Sequence, residues 1–274
     1  MPTSVDVDAV RSLLERDWAA LDELCSPLTE QQWSRATCLP GWSVQDVLAH
    51  VVGTELMLEG QPAPQADVSH LTHLRNDLAR MGEVWVEDMR RLSGAEVLAR
   101  FREVVARRGA ALADMDQAAM DEPSWTPVGK DETYGRFMRI RHYDTYLHEH
   151  DVRDALGVED RPDVASIEMA LTEVEPALGY VVGRKAALPE RSVVRIDLTG
   201  PVLRSYLLGV VDGRATELDP ADHEPDTTLA MGDLLFLRLT GGRTEPGPHL
   251  GLGLEISGDQ AMGLHLASHM AMTI

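Results

Sequence analysis

Two cysteines, Cys25 and Cys38, are all the thiols in a chain of 274 residues. Nothing in their spacing makes a disulfide framework or a zinc-finger pair, so both are expected as reduced thiols. Lysine is as scarce: Lys130 and Lys185 stand among 25 basic residues, and the rest are arginine. Positive charge as a whole is short, because 45 acidic residues leave a formal net charge of −20. Such a surface repels phosphate backbones and anionic headgroups, which argues against nucleic acid and membrane as partners. Long apolar runs are missing too, since none approaches the roughly 20 residues needed to span a bilayer. Met1 to Asp8 is short, acidic and polar, unlike a secretory signal. The expectation is a cytoplasmic protein. The glycine-rich stretch from Gly241 to Gly253 lacks the spacing of a P-loop or dinucleotide cradle. No Ser-His-Asp or Cys-His arrangement stands out.

What is present falls into two halves, and the length allows one large domain or two ordinary ones. In the first half the apolar period is helical. Val5 to Leu24 repeats Val10, Leu13, Leu14, Trp18, Leu21 and Leu24 at threes and fours. Pro40-Gly41 is a turn, and Ser43 with Asp46 forms a capping-box pair at the start of a helix from Val44 to Leu58. Gln61 to Ser69 is expected as a loop, His70 to Arg91 and Ala95 to Met115 as helices, and Pro123 to Asp131 as a loop. A helix starting near Gly135 and stopped by Gly157 completes four main helices, the pattern of a bundle. Ser166 to Gly183 is expected as a connecting helix. After Pro189 the period changes. Val193 to Leu198, Leu203 to Val211, Thr227 to Met231 and Leu254 to Ser257 are expected as strands, with a hairpin signal at Asp212-Gly213. Helices are expected over Gly232 to Thr240 and Gly258 to Met272, so this half is an α+β domain. The boundary expected from these patterns divides residues 1–158 from 159–274.

The chemistry concentrates in Ile140 to Gly157, IRHYDTYLHEHDVRDALG. On a helix its apolar stripe runs Ile140, Tyr143, Leu147, Ala155. Asp144, His148 and Asp151 fall on or beside that stripe, with Asp144 and His148 one above the other at i and i+4. Aimed inward, they need partners. The spacing leaves two readings open, a buried Asp–His hydrogen bond that holds the core and a divalent metal. His142 and Glu149 point away and are expected to be solvated; His150 lies between the faces. His50 lies at the edge of its helix's apolar stripe. Alone it fits a satisfied core histidine, but a second helix carrying an inward Asp and His makes it a candidate ligand.

Two stretches resemble a known family. Leu39-Pro40-Gly41-Trp42-Ser43-Val44-Gln45-Asp46-Val47-Leu48-Ala49-His50 resembles the first motif of the mycothiol-dependent maleylpyruvate isomerase family. These are actinobacterial proteins with a DinB-like metal-binding four-helix bundle. Asp144-x-x-x-His148-x-x-Asp151 followed by Ala155-Leu156-Gly157 resembles the second motif. Leu234 to Arg243 and Leu254 to Asp259 resemble more loosely the family's C-terminal α+β domain, similar to sterol carrier proteins. The arginine-rich composition fits a GC-rich genome. The resemblance implies zinc, or another divalent metal, on His50, Asp144 and His148. The family carries Glu at the position of Asp144. Asp is one methylene shorter, which draws the metal towards its helix or weakens its binding. Asp46 and Asp151 then serve as capping or supporting groups. An arginine of the C-terminal domain is implied in activity and co-substrate binding, with Arg243 the first candidate and Arg238 the second. The implied activity is that of a transferase or isomerase in which a metal-activated thiol, mycothiol, attacks a small electrophile. The alternative is a non-catalytic metal- or ligand-binding protein of the same fold. The expected partners are the thiol and its electrophilic substrate, with no nucleic acid and no membrane, and the protein a monomer or homodimer.

Overall fold

A computed structural model of the chain describes residues 3–272. The chain divides into two compact units, Met1–Arg161 and Pro162–Ile274.

The first unit is helical. α1 (Val7–Cys25) starts where the Asp6 carboxylate accepts from the Ala9 N–H. α2 (Glu30–Trp33) and α3 (Val44–Leu58) both begin with capping boxes, Thr29 with Gln32 and Ser43 with Asp46. Each box satisfies N–H groups that the first turn leaves orphaned. Residues 61–76 carry no regular element. α4 (Asp77–Met89) begins only where Asn76 caps the Ala79 N–H, so the helix expected from His70 starts later. α5 (Gly94–Ala113) has a third capping box, Ser93 with Glu96, and α6 (Gln117–Met120) is a single turn. The loop expected over Pro123 to Asp131 is instead a two-stranded hairpin, β1 (Pro123–Thr126) paired antiparallel with β2 (Gly129–Thr133). Pro123 is tolerated as the first residue of its strand. α7 (Tyr134–Leu156) then runs for 23 residues. It ends at Gly157, whose φ of 68° lies in the left-handed region that glycine enters without a Cβ penalty.

α7 packs on α1 and α3, α1 also packs on α5, and α3 on α4 and α5. Their apolar faces close over one core, with Leu14, Leu21, Val47, Leu48, Val51, Phe101 and Val104 buried. Complete burial of a side chain such as Leu48 or Phe101 contributes about 1.5–3 kcal/mol. Gly94 lets the Trp33 ring lie directly against the start of α5, where a Cβ would sit 2.2 Å from the ring.

The second unit is a mixed sheet with helices. α8 (Val164–Val174) is followed by a 3₁₀ turn, the short α9 (Leu178–Tyr180) and a π-helical stretch, Val181–Lys185. One continuous helix expected to Gly183 is thus broken in the middle, where Pro176 follows Glu175. The strands β3 (Val193–Thr199), β4 (Leu203–Val211), β5 (Arg214–Glu217), β6 (Thr227–Met231) and β7 (Leu254–Gly258) stand in the order β5-β4-β3-β6-β7. Only β3 and β6 pair in parallel. Along β3, Val194, Ile196 and Leu198 are buried while their neighbours are less so, the alternation of a half-covered strand. Asp212 and Gly213, at φ 53° and 67°, turn β4 into β5, the two-residue turn that matches strand twist. α10 (Asp233–Thr240) packs against α8, and α11 (Gln260–Ala267) against β6 and β7. Among the described residues, no helix is long and apolar enough to cross a membrane.

Candidate functional site

α3 and α7 pack side by side and bring His50, Asp144 and His148 together. The two imidazoles reach the same carboxylate. His50 Nε2 lies 3.2 Å from Asp144 Oδ2, and His148 Nε2 lies 3.2 Å from Asp144 Oδ1. One donor atom from each of the three residues falls within 4.8 Å of the other two. The side chain of His148 is 4 % exposed, that of His50 19 % and that of Asp144 28 %, so the cluster opens towards solvent on the His50 and Asp144 side.

Each member is held differently. His148 Nδ1 donates to Asp151 Oδ2 at 2.9 Å, which leaves Nε2 to face Asp144. Asp151 also accepts from the Cys38 thiol at 3.2 Å. Asp144 Oδ2 accepts from Arg141 Nη1. Arg141 in turn donates to Glu55 Oε1 at 3.1 Å, Glu55 Oε2 accepts from Arg108 Nε at 2.9 Å, and Arg108 reaches the Tyr134 hydroxyl at 2.9 Å. Arg108, Glu55 and Arg141 are almost fully buried, so the charges in this row neutralise one another away from water. The Trp42 indole packs beside both imidazoles, its ring centre 5.1 Å from that of His50 and 5.9 Å from that of His148.

Burial works against the charged form of every member. It lowers the His50 pKa, with Asp144 pulling the other way. For Asp144 it is outweighed by His148, His50 and Arg141, which hold the carboxyl well below the usual carboxylate range. For His148 it is outweighed by Asp144 and Asp151, which raise the imidazole above its ordinary value. The site therefore keeps an ionised carboxylate between two imidazoles, and cations or protons neutralise it.

The donor set suits a divalent cation. Two imidazole nitrogens and one carboxylate oxygen are borderline ligands of the kind zinc takes, and three protein ligands leave a position open. Tetrahedral bonds of about 2.0–2.1 Å put ligand atoms about 3.3 Å apart; each imidazole stands 3.2 Å from Asp144, on a different oxygen, and one donor atom from each residue falls within 4.8 Å of the other two. The carboxylate behind His148 is the support that ligating imidazoles characteristically have.

Other residues singled out in the sequence stand elsewhere. Asp46 caps α3, accepting from the Ser43 N–H and hydroxyl, and pairs with Arg90 at 2.9 Å. His142 and Glu149, expected to be solvated, are fully buried. His142 Nδ1 lies 2.6 Å from Asp17 on α1, and Glu149 accepts from Arg153 and Arg161. α7 is covered on more than its apolar stripe, and its polar residues find charged partners on other segments. His150 is buried as well, its Nδ1 donating to the Tyr146 carbonyl. Arg238 and Arg243 belong to the second unit, in and just after the last turn of α10. Arg243 Nη1 donates to the Gly241 carbonyl at 2.6 Å. Sequence reasoning missed Glu55, Arg108 and Arg141. The only available signal was Arg141 three residues before Asp144, an opposite-charge pair at helical spacing.

The sequence matches the family model for the mycothiol maleylpyruvate isomerase N-terminal domain over residues 14–153, a span that contains all three clustered residues. Among solved structures, the chain is similar to the crystal structure of the mycothiol-dependent maleylpyruvate isomerase. The TM-score is 0.58 at 14 % identity, covering 94 % of this chain and 96 % of that one. A histidine-to-alanine mutant of the mycothiol-dependent maleylpyruvate isomerase matches with a TM-score of 0.57 at 15 % identity over the same shares. At such identity the likeness establishes a common fold. No curated protein matches the sequence.

Proposed function

The chain belongs to the mycothiol maleylpyruvate isomerase N-terminal domain family, and from that premise we propose that it is a metal-dependent enzyme of small-thiol chemistry. In this reading the first unit is a DinB-like bundle, and His50, Asp144 and His148 hold a divalent cation, zinc by their chemistry. The second unit is the family's sterol-carrier-like domain and supplies Arg243, or Arg238, to bind the co-substrate. Mycothiol is the thiol. The electrophile is a small molecule, and the outcome is S-conjugation, thiol exchange or a maleylpyruvate-type cis–trans isomerisation. A divalent cation at such a site lowers the pKa of a thiol at its open position, so that the thiolate is available near neutral pH. The chain's own residues prepare for this. Asp151 accepts the His148 Nδ1 proton and so turns Nε2 inward towards Asp144. Arg141 restrains one oxygen of the shorter Asp144. Trp42 packs against one flank of both imidazoles. No protein nucleophile is required.

The observation that carries the proposal is the convergence of both imidazoles on one carboxylate, with a nitrogen of each 3.2 Å from one of its oxygens. The test is metal content. Purified protein is expected to hold about one zinc per chain, and a His50→Ala/His148→Ala double variant none. Turnover of an electrophile is then expected to require both the metal and mycothiol. Protein that takes up no zinc would refute the proposal and leave the cluster as a buried polar network. Zinc uptake without thiol-dependent turnover would favour a metal-binding protein with no catalytic role.

A further inference from the structure

Two of the three clustered residues are held by a hydrogen bond from behind, His148 by Asp151 and Asp144 by Arg141. His50 has no such bond: its Nδ1 is buried and has no hydrogen-bond partner among the described residues. A ligating imidazole is almost always fixed through that second nitrogen. What His50 has instead is the tilted face of the Trp42 indole at 5.1 Å.

The indole is itself tied down. Trp42 Nε1 donates to Glu83 Oε2 at 2.8 Å. Glu83, on α4, is 1 % exposed, a costly place for a carboxylate without partners. Arg90 Nη2 lies 3.1 Å from its Oε1, and His73 Nε2 lies 3.6 Å from its Oε2. The same arginine donates to the Gly41 carbonyl at 3.2 Å and to Asp46 at 2.9 Å, so it grips the turn that carries Trp42 on both sides. Nothing in the chemistry of the cluster requires Glu83, yet beside Arg90 and His73 its buried carboxyl group takes the one N–H of the Trp42 indole.

We propose that Glu83 is a positioning residue: it fixes the Trp42 indole, and the indole by packing orients His50, as Asp151 by hydrogen bonding orients His148. The role matters for function only if His50 is a metal ligand, so in that respect it rests on the proposed function. The orientation itself exists without metal and is testable without it.

The experiment uses the full chain in two arms. In the metal-free protein, proton NMR is expected to show through-space contacts between the Trp42 indole and the His50 ring. Glu83→Leu should weaken or shift them, Glu83→Gln, which keeps an acceptor, should retain them, and Trp42→Phe, which has no indole, should shift the His50 ring signals themselves. In the second arm, zinc affinity is measured by chelator competition. Glu83→Leu is expected to lose about 10- to 100-fold, the range typical of removing a ligand's support. Glu83→Gln should stay close to the parent, and the Glu83→Leu/Trp42→Phe double variant should lose no more than the worse single one. If Glu83→Leu does not fold, Trp42→Phe, which keeps an aromatic ring but has a smaller face and no N–H to donate, decides in its place. Unchanged ring contacts, an unchanged affinity in Trp42→Phe, or Glu83→Gln losing as much as Glu83→Leu would each overturn the proposal. Parent protein that binds no zinc would defeat the metal reading, while the NMR arm would still decide whether Glu83 orients His50.

Discussion

At the scale of single residues, the clustered groups depend on neighbours that the sequence names less clearly than the cluster itself. His50, Asp144 and His148 stand out because inward polar residues break an apolar stripe. Asp151 can be found the same way. Its removal is the direct test of support behind His148. Asp151 is buried and accepts the His148 Nδ1 proton. Asp151→Ala is therefore expected to weaken zinc binding by about 10- to 100-fold, measured by chelator competition. Cys38→Ala, which removes only the thiol that Asp151 also accepts, should cost far less. Equal losses in the two variants would assign the support to the thiol–carboxylate pair as a whole. Cys25, by contrast, takes no part: burial pushes its thiol up to about 12, which keeps it protonated at neutral pH. His142 and Glu149 show where reading single residues fails. Their burial depends on Asp17 and Arg161, 125 and 12 residues away, and a helical period carries no information about partners on other segments.

At the scale of elements, legibility followed the strength of local signals. α3 was readable to the residue because Ser43, Asp46 and an apolar period agree. The end of α7 was readable because glycine follows the last periodic residue. The start of α4 was not, since residues 70–76 share its mixed polarity and only the Asn76 cap marks the first turn. The β1–β2 hairpin was hidden by Pro123 and Pro127, which read as loop although one opens a strand and the other sits in its turn. Two glycines separate conformational from packing effects. At Gly157 a Cβ would meet nothing within 4 Å, so Gly157→Ala costs only the left-handed backbone, about 1–2 kcal/mol. At Gly94 the backbone is ordinary helix, but a Cβ would lie 2.2–2.4 Å from the Trp33 ring. Gly94→Ala must displace that ring and is expected to cost about 1–3 kcal/mol or more. Urea denaturation should show both losses. A second change that empties the space, Trp33→Ala, should remove most of the further cost of Gly94→Ala while leaving that of Gly157→Ala intact.

At the scale of the whole molecule, two units with separate cores are joined close to residue 161. The change of period from helical to strand-like after Pro189 made two domains legible, but no pattern in the sequence says which residues near the join stabilise which unit. The structure gives one answer through Glu149. This carboxylate is fully buried on α7, and Arg161 donates to both of its oxygens, at 3.0 and 2.7 Å, while Arg153 donates to one at 2.8 Å. Burial pushes the Glu149 pKa up, but the two arginines more than reverse that and leave it below its ordinary value. Arg161 thus belongs energetically to the helical unit although it follows the last helical residue of α7 by five positions. Two chains cut on either side of it should behave differently. A chain ending at residue 161 keeps both arginines on Glu149. A chain ending at 158 leaves a buried carboxylate with Arg153 alone and is expected to be less stable by about 2–3 kcal/mol. Glu149→Gln in the shorter chain should recover part of the loss, because it removes the buried charge that lacks its second arginine. Denaturant midpoints of the three chains measure this. Equal stability of the two lengths would mean that solvent reaches Glu149 once Arg161 is gone and takes over its role.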